Sequence, residues 1–289
     1  MTAPQHFSRD FCESEYDTAR TAPDAAQVMK QRQELSTRAL QTLRATVDVA
    51  YGPGEKQKLD VFRPEQQSRG VMVYFHGGYW QRMDKRDLSF LALPFVEAGF
   101  TFVNVNYTLA PAATLDAIVA EARAACAWTW ENIADFGGER SNLHVSGSSA
   151  GGHLALMMSA TCWPDVTECL PADLVKGTCG ISGLYELEPL LYTRINDALG
   201  LDLEAAARNS PVLLKPTSVG PVLLAVGGRE SSEFHRQTAD LAQAWAGRAG
   251  GIEILQVPER HHFDILLDLA DTSSALCRAV LQRMTATAS

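Results

Sequence analysis

The sequence has no long apolar run and no cluster of basic residues. No stretch of its 289 residues approaches the roughly 18–20 consecutive apolar residues needed to cross a bilayer, so a membrane-spanning protein is excluded. Lys and Arg number 25 against 34 Asp and Glu, which gives a net charge of −9. An acidic surface repels phosphate backbones, so nucleic acid is not an expected partner.

Disulfide and targeting patterns are also absent. The six cysteines form no CxxC pair and no framework-like spacing. A chain of this length does not need disulfides to fold, so we expect free thiols. The first residues lack the basic start and apolar block of a secretory signal, and together these features predict a cytoplasmic protein.

Motifs for metals and nucleotides are missing as well. The sequence contains no HExxH, no GxxxxGK[ST] and no GxGxxG. His261 and His262 are adjacent in sequence, and adjacent histidines rarely bind the same metal ion. We therefore expect neither a metal nor another cofactor.

What is present is a regular alternation of strands and helices in a chain that is 46% hydrophobic. Such alternation predicts one α/β domain over residues 1–289, with a mostly parallel mixed sheet and helices on both faces. An N-terminal helical segment (about 1–45) precedes it, and a Leu-rich, Pro-containing stretch (about 185–218) is the candidate for a small helical cap. The predicted strands are 47–51, 58–62, 70–75, 100–107, 143–147, 174–182, 221–228 and 252–258; the predicted helices are 23–45, 87–98, 115–135, 150–162, about 233–248 and about 264–284.

The strongest chemical motif is GSSAG at 147–151, which fits G-x-S-x-G between a predicted strand and a predicted helix. Glycines flank the serine because a Cβ would collide in so sharp a turn. The turn would hold Ser149 Oγ at the sheet edge, above a helix N-terminus that favours negative charge. A plain Gly/Ser-rich loop is the alternative.

A second motif, HGGYW at 76–80, follows the predicted strand 70–75. In this context the loop donates backbone N–H groups to an oxyanion, together with the residue after the nucleophile. A simple Gly-Gly turn is the alternative. The candidate oxyanion-hole residues are Gly77, Gly78, Tyr79 and Ala150, and the candidate substrate-pocket residues are His76, Tyr79 and Trp80.

A serine nucleophile needs a base and an orienting carboxylate, in the chain order Ser, acid, His. His261 and His262 follow the last predicted strand, and only one of them should face Ser149. Glu230 lies closest to the end of strand 221–228 and is the preferred acid, with Glu233 as its rival. Asp264 is a weaker candidate because it lies too near the histidines in sequence.

With these residues located, the chain resembles the serine-dependent arylformamidase (kynurenine formamidase) branch of the α/β-hydrolases. Its HGGYW loop resembles the HGGG loop of hormone-sensitive-lipase-like esterases. The resemblance implies Ser149 as nucleophile, Glu230 as acid and His262 as base. The other matching stretches are LAPAATLD (109–116), GSSAGGHLA (147–155), ISGLYELEPL (181–190), RNSP (208–211), SEFHRQ (232–237) and HHF (261–263).

We therefore expect a serine hydrolase that cleaves a formyl group from an N-formylkynurenine-like aromatic amide, with a role in tryptophan catabolism. The alternatives are a carboxylesterase for short-chain aryl or alkyl esters and a non-catalytic binding protein on the same fold. The latter would be expected to have lost a triad member. The expected partner is a small-molecule amide or ester, with no nucleic acid and no membrane; a homodimer is a further hypothesis.

Overall fold

In the computed structural model, which describes residues 7–218, 220–247 and 250–287, one eight-stranded sheet runs through the molecule. The spatial order is β1-β2-β4-β3-β5-β6-β7-β8. The pairs β1–β2 and β2–β4 are antiparallel and every other pair is parallel, which confirms the predicted mixed sheet. The strands are β1 (Arg44–Ala50), β2 (Lys58–Arg63), β3 (Val71–Phe75), β4 (Thr101–Val105), β5 (Leu143–Ser148), β6 (Gly177–Ile181), β7 (Val222–Gly227) and β8 (Ile252–Val257).

Central strands such as β3 are apolar on both faces. Val71, Val73 and Phe75 belong to the core on one side of the sheet. Met72 and Tyr74 belong to a second core on the other side. Because helices cover both faces, these strands form continuous apolar runs rather than alternating ones.

Helices α4, α5 and α9 contribute to the first core, whereas α3, α10 and α11 contribute to the second. This arrangement confirms helices on both faces. None of the described helices is long and apolar enough to span a membrane. The described helices are α1 (Arg9–Glu15), α2 (Ala25–Thr42), α3 (Ala92–Glu97), α4 (Leu115–Asn132), α5 (Ala150–Ser159), α6 (Trp163–Val166), α7 (Asn196–Leu199), α8 (Leu203–Arg208), α9 (Ser232–Ala244), α10 (Ile265–Leu269) and α11 (Ala275–Ala286).

The single helix predicted over about 264–284 is wrong, because the structure divides it into α10 and α11. Asp271 Oδ1 accepts a hydrogen bond from the Ser273 N–H at 2.8 Å. Ser274 Oγ accepts from the Cys277 N–H at 2.9 Å and caps α11. Such side chains satisfy the backbone outside a helix, so the helix ends and a new one starts.

Two other predicted helices also differ in extent. Residues 87–98 are a 3₁₀ turn over Lys85–Leu91 followed by the short α3, because Asp84 caps the turn through its side chain. The helix predicted over about 233–248 is α9, which ends at Ala244; position 248 lies outside the described residues.

The N-terminal segment, defined here as residues 7–42, contains α1, a 3₁₀ turn and α2. Of the helical segment predicted over about 1–45, residues 1–6 lie outside the described chain, and residues 44–45 belong to β1. The N-terminal segment is fastened to the start of α9. The Tyr16 hydroxyl donates to Glu233 Oε2 at 2.8 Å, and the Ser231 hydroxyl donates to the Glu15 carbonyl at 2.6 Å. These bonds hold the segment across the carboxyl edge of the sheet.

The stretch 185–218 contains the short helices α7 and α8 between 3₁₀ turns. Asn209 joins it to the sheet-facing helix α5, since its carbonyl lies 2.7 Å from His153 Nε2. Arg208 forms a hydrogen-bonded ion pair with Asp116 of α4 at 2.7 Å. The stretch is therefore fixed beside the helices α4 and α5.

Candidate active site

Ser149 occupies a sharp turn between β5, which ends at Ser148, and α5, which begins at Ala150. Its backbone has φ 55° and ψ −121°, a conformation that costs free energy in a residue with a Cβ. The Ser149 N–H donates to the Ile181 carbonyl of β6 at 2.8 Å, which anchors the turn to the neighbouring strand.

The two flanking glycines are required by contact, as the motif predicts. A Cβ on Gly147 would lie 2.2 Å from the Gly151 carbonyl oxygen. A Cβ on Gly151 would lie 1.9 Å from the Phe75 carbonyl oxygen. Neither backbone neighbour can move without opening the turn, so only glycine fits at both positions.

The loop after β3 passes directly over the serine. A Cβ on Gly77 would lie 3.2 Å from Ser149 Cβ, and Gly78 and Tyr79 both have positive φ, at 101° and 51°. Within the described residues, the N–H groups of Gly78 and Tyr79 have no backbone acceptor. The Ala150 N–H is at the first position of α5 and has no intrahelical acceptor. Three N–H donors are thus available beside Ser149.

His262 and Glu230 form a short contact with each other. His262 Nδ1 lies 2.7 Å from Glu230 Oε2, and the Glu230 side chain is fully buried. The ring of Phe234 packs against the imidazole with a centroid separation of 4.7 Å. This geometry orients the other ring nitrogen, Nε2, away from the acid.

The remaining oxygen of Glu230 is also occupied. Its Oε1 accepts from the Gly227 N–H at 2.8 Å and from the Ser182 hydroxyl. Ser182 follows β6 and has φ 49°. It was not among the residues identified from the sequence, although its position at the carboxyl edge of a parallel strand could have suggested it.

The rivals for the base and the acid point elsewhere. His261 Nε2 lies 2.9 Å from Asp24 Oδ1 of the N-terminal segment. Asp264 accepts from the backbone N–H of His261 at 2.7 Å, and Glu233 accepts from Tyr16. The structure therefore brings His262, and not His261, together with Glu230.

Two of the three candidate pocket residues do not reach the cavity. His76 is fully buried and stacks on Tyr107 at 4.3 Å, and burial lowers the pKa of its imidazole. Trp80 is also fully buried and packs edge-on against His153 at 5.0 Å. Of the three, only Tyr79 lines the cavity.

Ser149 and His262 share one cavity of about 300 Å³. Among the described residues no hydrogen bond joins their side chains, and in serine hydrolases such bonds commonly tighten only when substrate binds. Part of the wall comes from the N-terminal segment through Asp17, Met29 and Arg32. No residue of 185–218 lines it, so the covering role expected of that stretch falls on the N-terminal segment, which sequence reasoning missed.

A metal centre has no support in the described residues, which contain no group of three or more His, Cys, Asp or Glu side chains that could hold an ion. The buried His144 and His153 are instead bound to neighbouring oxygens. Burial lowers the pKa of His144 to about 3 and that of His153 to about 4.

Known proteins resemble this chain over nearly its whole length. A family model described as BD-FAE matches residues 59–169. A kynurenine formamidase of Danio rerio is 33% identical to this chain over 98% of this chain and 98% of its own length. This chain belongs to the kynurenine formamidase family.

Solved structures place this kynurenine formamidase family member among the α/β-hydrolases. A candidate thioesterase of a Silicibacter species is similar with a TM-score of 0.84 and 29% identity, covering 93% of this chain and 98% of that chain. An esterase of Pyrobaculum calidifontis has a TM-score of 0.67 at 19% identity, covering 97% and 96%. The predicted α/β-hydrolase fold is confirmed.

Proposed function

We propose that this protein hydrolyses the formamide bond of N-formylkynurenine through a formyl-enzyme, with Ser149 as nucleophile, His262 as base and Glu230 as acid. Membership of the kynurenine formamidase family supports the substrate. The observation that carries the mechanism is the 2.7 Å contact between His262 and Glu230 in a cavity that His262 shares with the strained Ser149.

In the first half-reaction, His262 Nε2 takes the Ser149 hydroxyl proton while Oγ attacks the formyl carbon. The carbonyl oxygen becomes an oxyanion, which the N–H groups of Gly78, Tyr79 and Ala150 stabilise. Gly77 lets the loop come close enough for this contact. His262 then donates its proton to the departing nitrogen, the C–N bond breaks, and the aryl amine leaves formyl-Ser149 behind.

In the second half-reaction, a water molecule gives a proton to His262 Nε2 and attacks the formyl carbon. The same N–H groups stabilise the second oxyanion. Collapse breaks the bond to Ser149 Oγ, which recovers its proton from His262 and releases formate. Throughout, Glu230 stabilises the imidazolium and keeps its Nδ1 proton in place.

An aryl amine suits this machinery. Its lone pair is delocalised into the ring, so the C–N bond breaks more readily than that of an alkyl amide. The Tyr79 ring in the cavity wall offers a flat apolar surface for an aromatic leaving group. It also limits the space next to the oxyanion donors, which favours a small acyl group such as formyl.

A short-chain carboxylesterase is the second candidate. The similarity to a candidate thioesterase at a TM-score of 0.84 favours it, because esters and thioesters are cleaved by the same two half-reactions. A non-catalytic binding protein is not favoured, since all three residues expected of the triad are present and arranged together at one site.

Turnover of N-formylkynurenine separates the formamidase from the short-chain carboxylesterase, and the acyl length of the preferred ester separates both from a lipase-like esterase. We expect kcat/KM for a series of phenyl esters to fall from formyl and acetyl to butyryl and octanoyl, and N-formylkynurenine to be turned over. Hydrolysis is followed by the absorbance of the released phenol or of kynurenine. Octanoyl as the best ester, with no turnover of N-formylkynurenine, would leave a lipase-like esterase.

We further infer that the chain is one domain that acts in the cytoplasm. Free thiols at all six cysteines, four of them buried, support this compartment. A homodimer remains a hypothesis that sedimentation of the purified protein would decide.

A further inference from the structure

Arg32 occupies a position where an apolar residue would be expected. The residues that α2 buries are Val28, Arg32, Ser36 and Ala39, which recur at helical spacing on one face. The side chain of Arg32 is only 3% exposed. A cation in such a place costs free energy unless something compensates its charge.

The protein itself provides little compensation. Among the described residues no carboxylate lies within 4.0 Å of the Arg32 guanidinium, and its Nε has no hydrogen-bond partner. The guanidinium lies 5.8 Å from the centre of the Phe90 ring. Asp87, the acidic group that acts on it, accepts a hydrogen bond from the Asp84 N–H at 3.0 Å. Burial consequently lowers the pKa of Arg32.

The unpaired cation lines the cavity that contains Ser149 and His262. A guanidinium presents two parallel N–H donors that match a carboxylate. The one carboxylate in the cavity wall, Asp17, is exposed, and its Oδ1 accepts from the Ala19 N–H at 3.2 Å. The cavity therefore combines a candidate acyl-transfer site with a buried guanidinium that has no carboxylate partner, and the other cation in its wall, Arg82, is exposed.

We propose that Arg32 binds a carboxylate of the substrate and thereby selects aryl formamides that have a carboxylate over those that lack one. This inference rests on the proposed function, in which N-formylkynurenine has an α-carboxylate at the end of the side chain next to its formamide. Arg32 is then a specificity-determining residue that the N-terminal segment supplies to a site built otherwise from the loops of the sheet.

The test uses two formanilides that share the reacting group. N-formylkynurenine has the amino-acid side chain with its carboxylate and ammonium, whereas N-formyl-2-aminoacetophenone ends in a methyl ketone and has neither group. Arg32→Gln should lower kcat/KM for N-formylkynurenine at least about 30-fold, mainly through KM, because a buried charge pair is lost. Its kcat/KM for the neutral formanilide should change less than about threefold.

Arg38→Gln is the matched control, since Arg38 is on the same helix but exposed. This substitution should leave kcat/KM unchanged for both substrates. A second variant, Arg32→Met, should melt no lower than the wild type, because it removes an uncompensated buried cation. Equal losses on both formanilides together with a lower melting temperature would show a structural role and overturn the proposal. An unchanged ratio of kcat/KM for the two formanilides in Arg32→Gln would also overturn the proposal.

Failure of the proposed function is recognised separately. If the wild type hydrolyses phenyl acetate but neither formanilide, the formamidase proposal falls. Arg32 is then judged by inhibition of phenyl acetate hydrolysis with kynurenine and with kynurenine methyl ester, which lacks the carboxylate. Stronger inhibition by kynurenine that disappears in Arg32→Gln would support carboxylate binding, and equal inhibition by both compounds would overturn it.

Discussion

The two oxygens of the Glu230 carboxylate have different partners: one contacts His262, and the other accepts hydrogen bonds from residues that follow or end strands of the sheet. Oε2 contacts His262 at 2.7 Å, whereas Oε1 receives the Gly227 N–H at 2.8 Å and the Ser182 hydroxyl. The group therefore cannot turn without breaking contacts on both sides. Orientation of the imidazole, rather than proton transfer to the acid, is the role that this geometry favours.

Glu230→Gln should lower kcat about four orders of magnitude, because an amide in this place favours the wrong imidazole tautomer. Kinetics with N-formylkynurenine at neutral pH measure the loss. Glu259→Gln is the control: Glu259 is exposed and pairs with Arg229 on the surface, so its activity should match the wild type. An active Glu230→Gln enzyme would place the acid elsewhere.

Ser149 and its flanking glycines could be identified from the sequence, because the steric limits of this sharp turn are reflected in five consecutive residues. The sequence could not determine where His76 and Trp80 point. The positive φ values at Tyr79 and Trp80, which determine the path of the loop there, do not follow from residue type alone.

The element that most affects the site is the N-terminal segment. The Tyr79 hydroxyl donates to the Tyr16 carbonyl at 2.6 Å, so the segment contacts the loop that contains two of the proposed oxyanion donors. The Tyr16 hydroxyl in turn donates to Glu233 and accepts from Gln237 at 2.6 Å. Burial beside Glu233 raises the pKa of Tyr16, which therefore stays protonated as a donor.

Tyr16→Phe should lower the free energy of unfolding by about 1–3 kcal/mol, because it leaves the buried Glu233 with one donor fewer. Urea unfolding checks this value. Tyr192→Phe, which alters an exposed tyrosine, is the matched control and should have no measurable effect. Equal stability of Tyr16→Phe and wild type would mean that this anchor is unimportant.

The sequence could not predict this element's position. Strands and helices follow from local periodicity, whereas the docking of Tyr16 on Glu233 joins residues 217 positions apart. The proline-containing stretch 185–218 was the more visible candidate for a cover over the active site. It instead contacts the helices α4 and α5 through Arg208 and Asn209. Contacts over such separations leave no local pattern.

Across the whole molecule, buried neutral histidines link stability to pH. His153 is fully buried, its Nε2 lies 2.7 Å from the Asn209 carbonyl, and burial lowers its pKa from 6.5 to about 4. Between pH 6.5 and about pH 4, His153 is mostly protonated in the unfolded chain and mostly neutral in the folded protein. The contribution of His153 to the free energy of unfolding is therefore fully present above pH 6.5 and is lost progressively as the pH falls from there.

His153→Gln should reduce this pH dependence by about 1.4 kcal/mol per pH unit between the two pKa values. The glutamine amide can still donate to the Asn209 carbonyl. Urea unfolding of both proteins at several pH values measures the slope, which is independent of any constant loss of stability in the variant. Parallel curves for the two proteins would show that His153 titrates alike in both states.

The proposed mechanism depends on Ser149, and removal of its hydroxyl is the most direct test. We predict that Ser149→Ala lowers kcat for N-formylkynurenine on the order of a million-fold while the protein stays folded. Ser146→Ala is the matched control and should keep the activity, because Ser146 is a buried serine of β5, just before the turn, that does not line the cavity. Comparable turnover by Ser149→Ala and wild type would contradict acyl-enzyme chemistry at this serine.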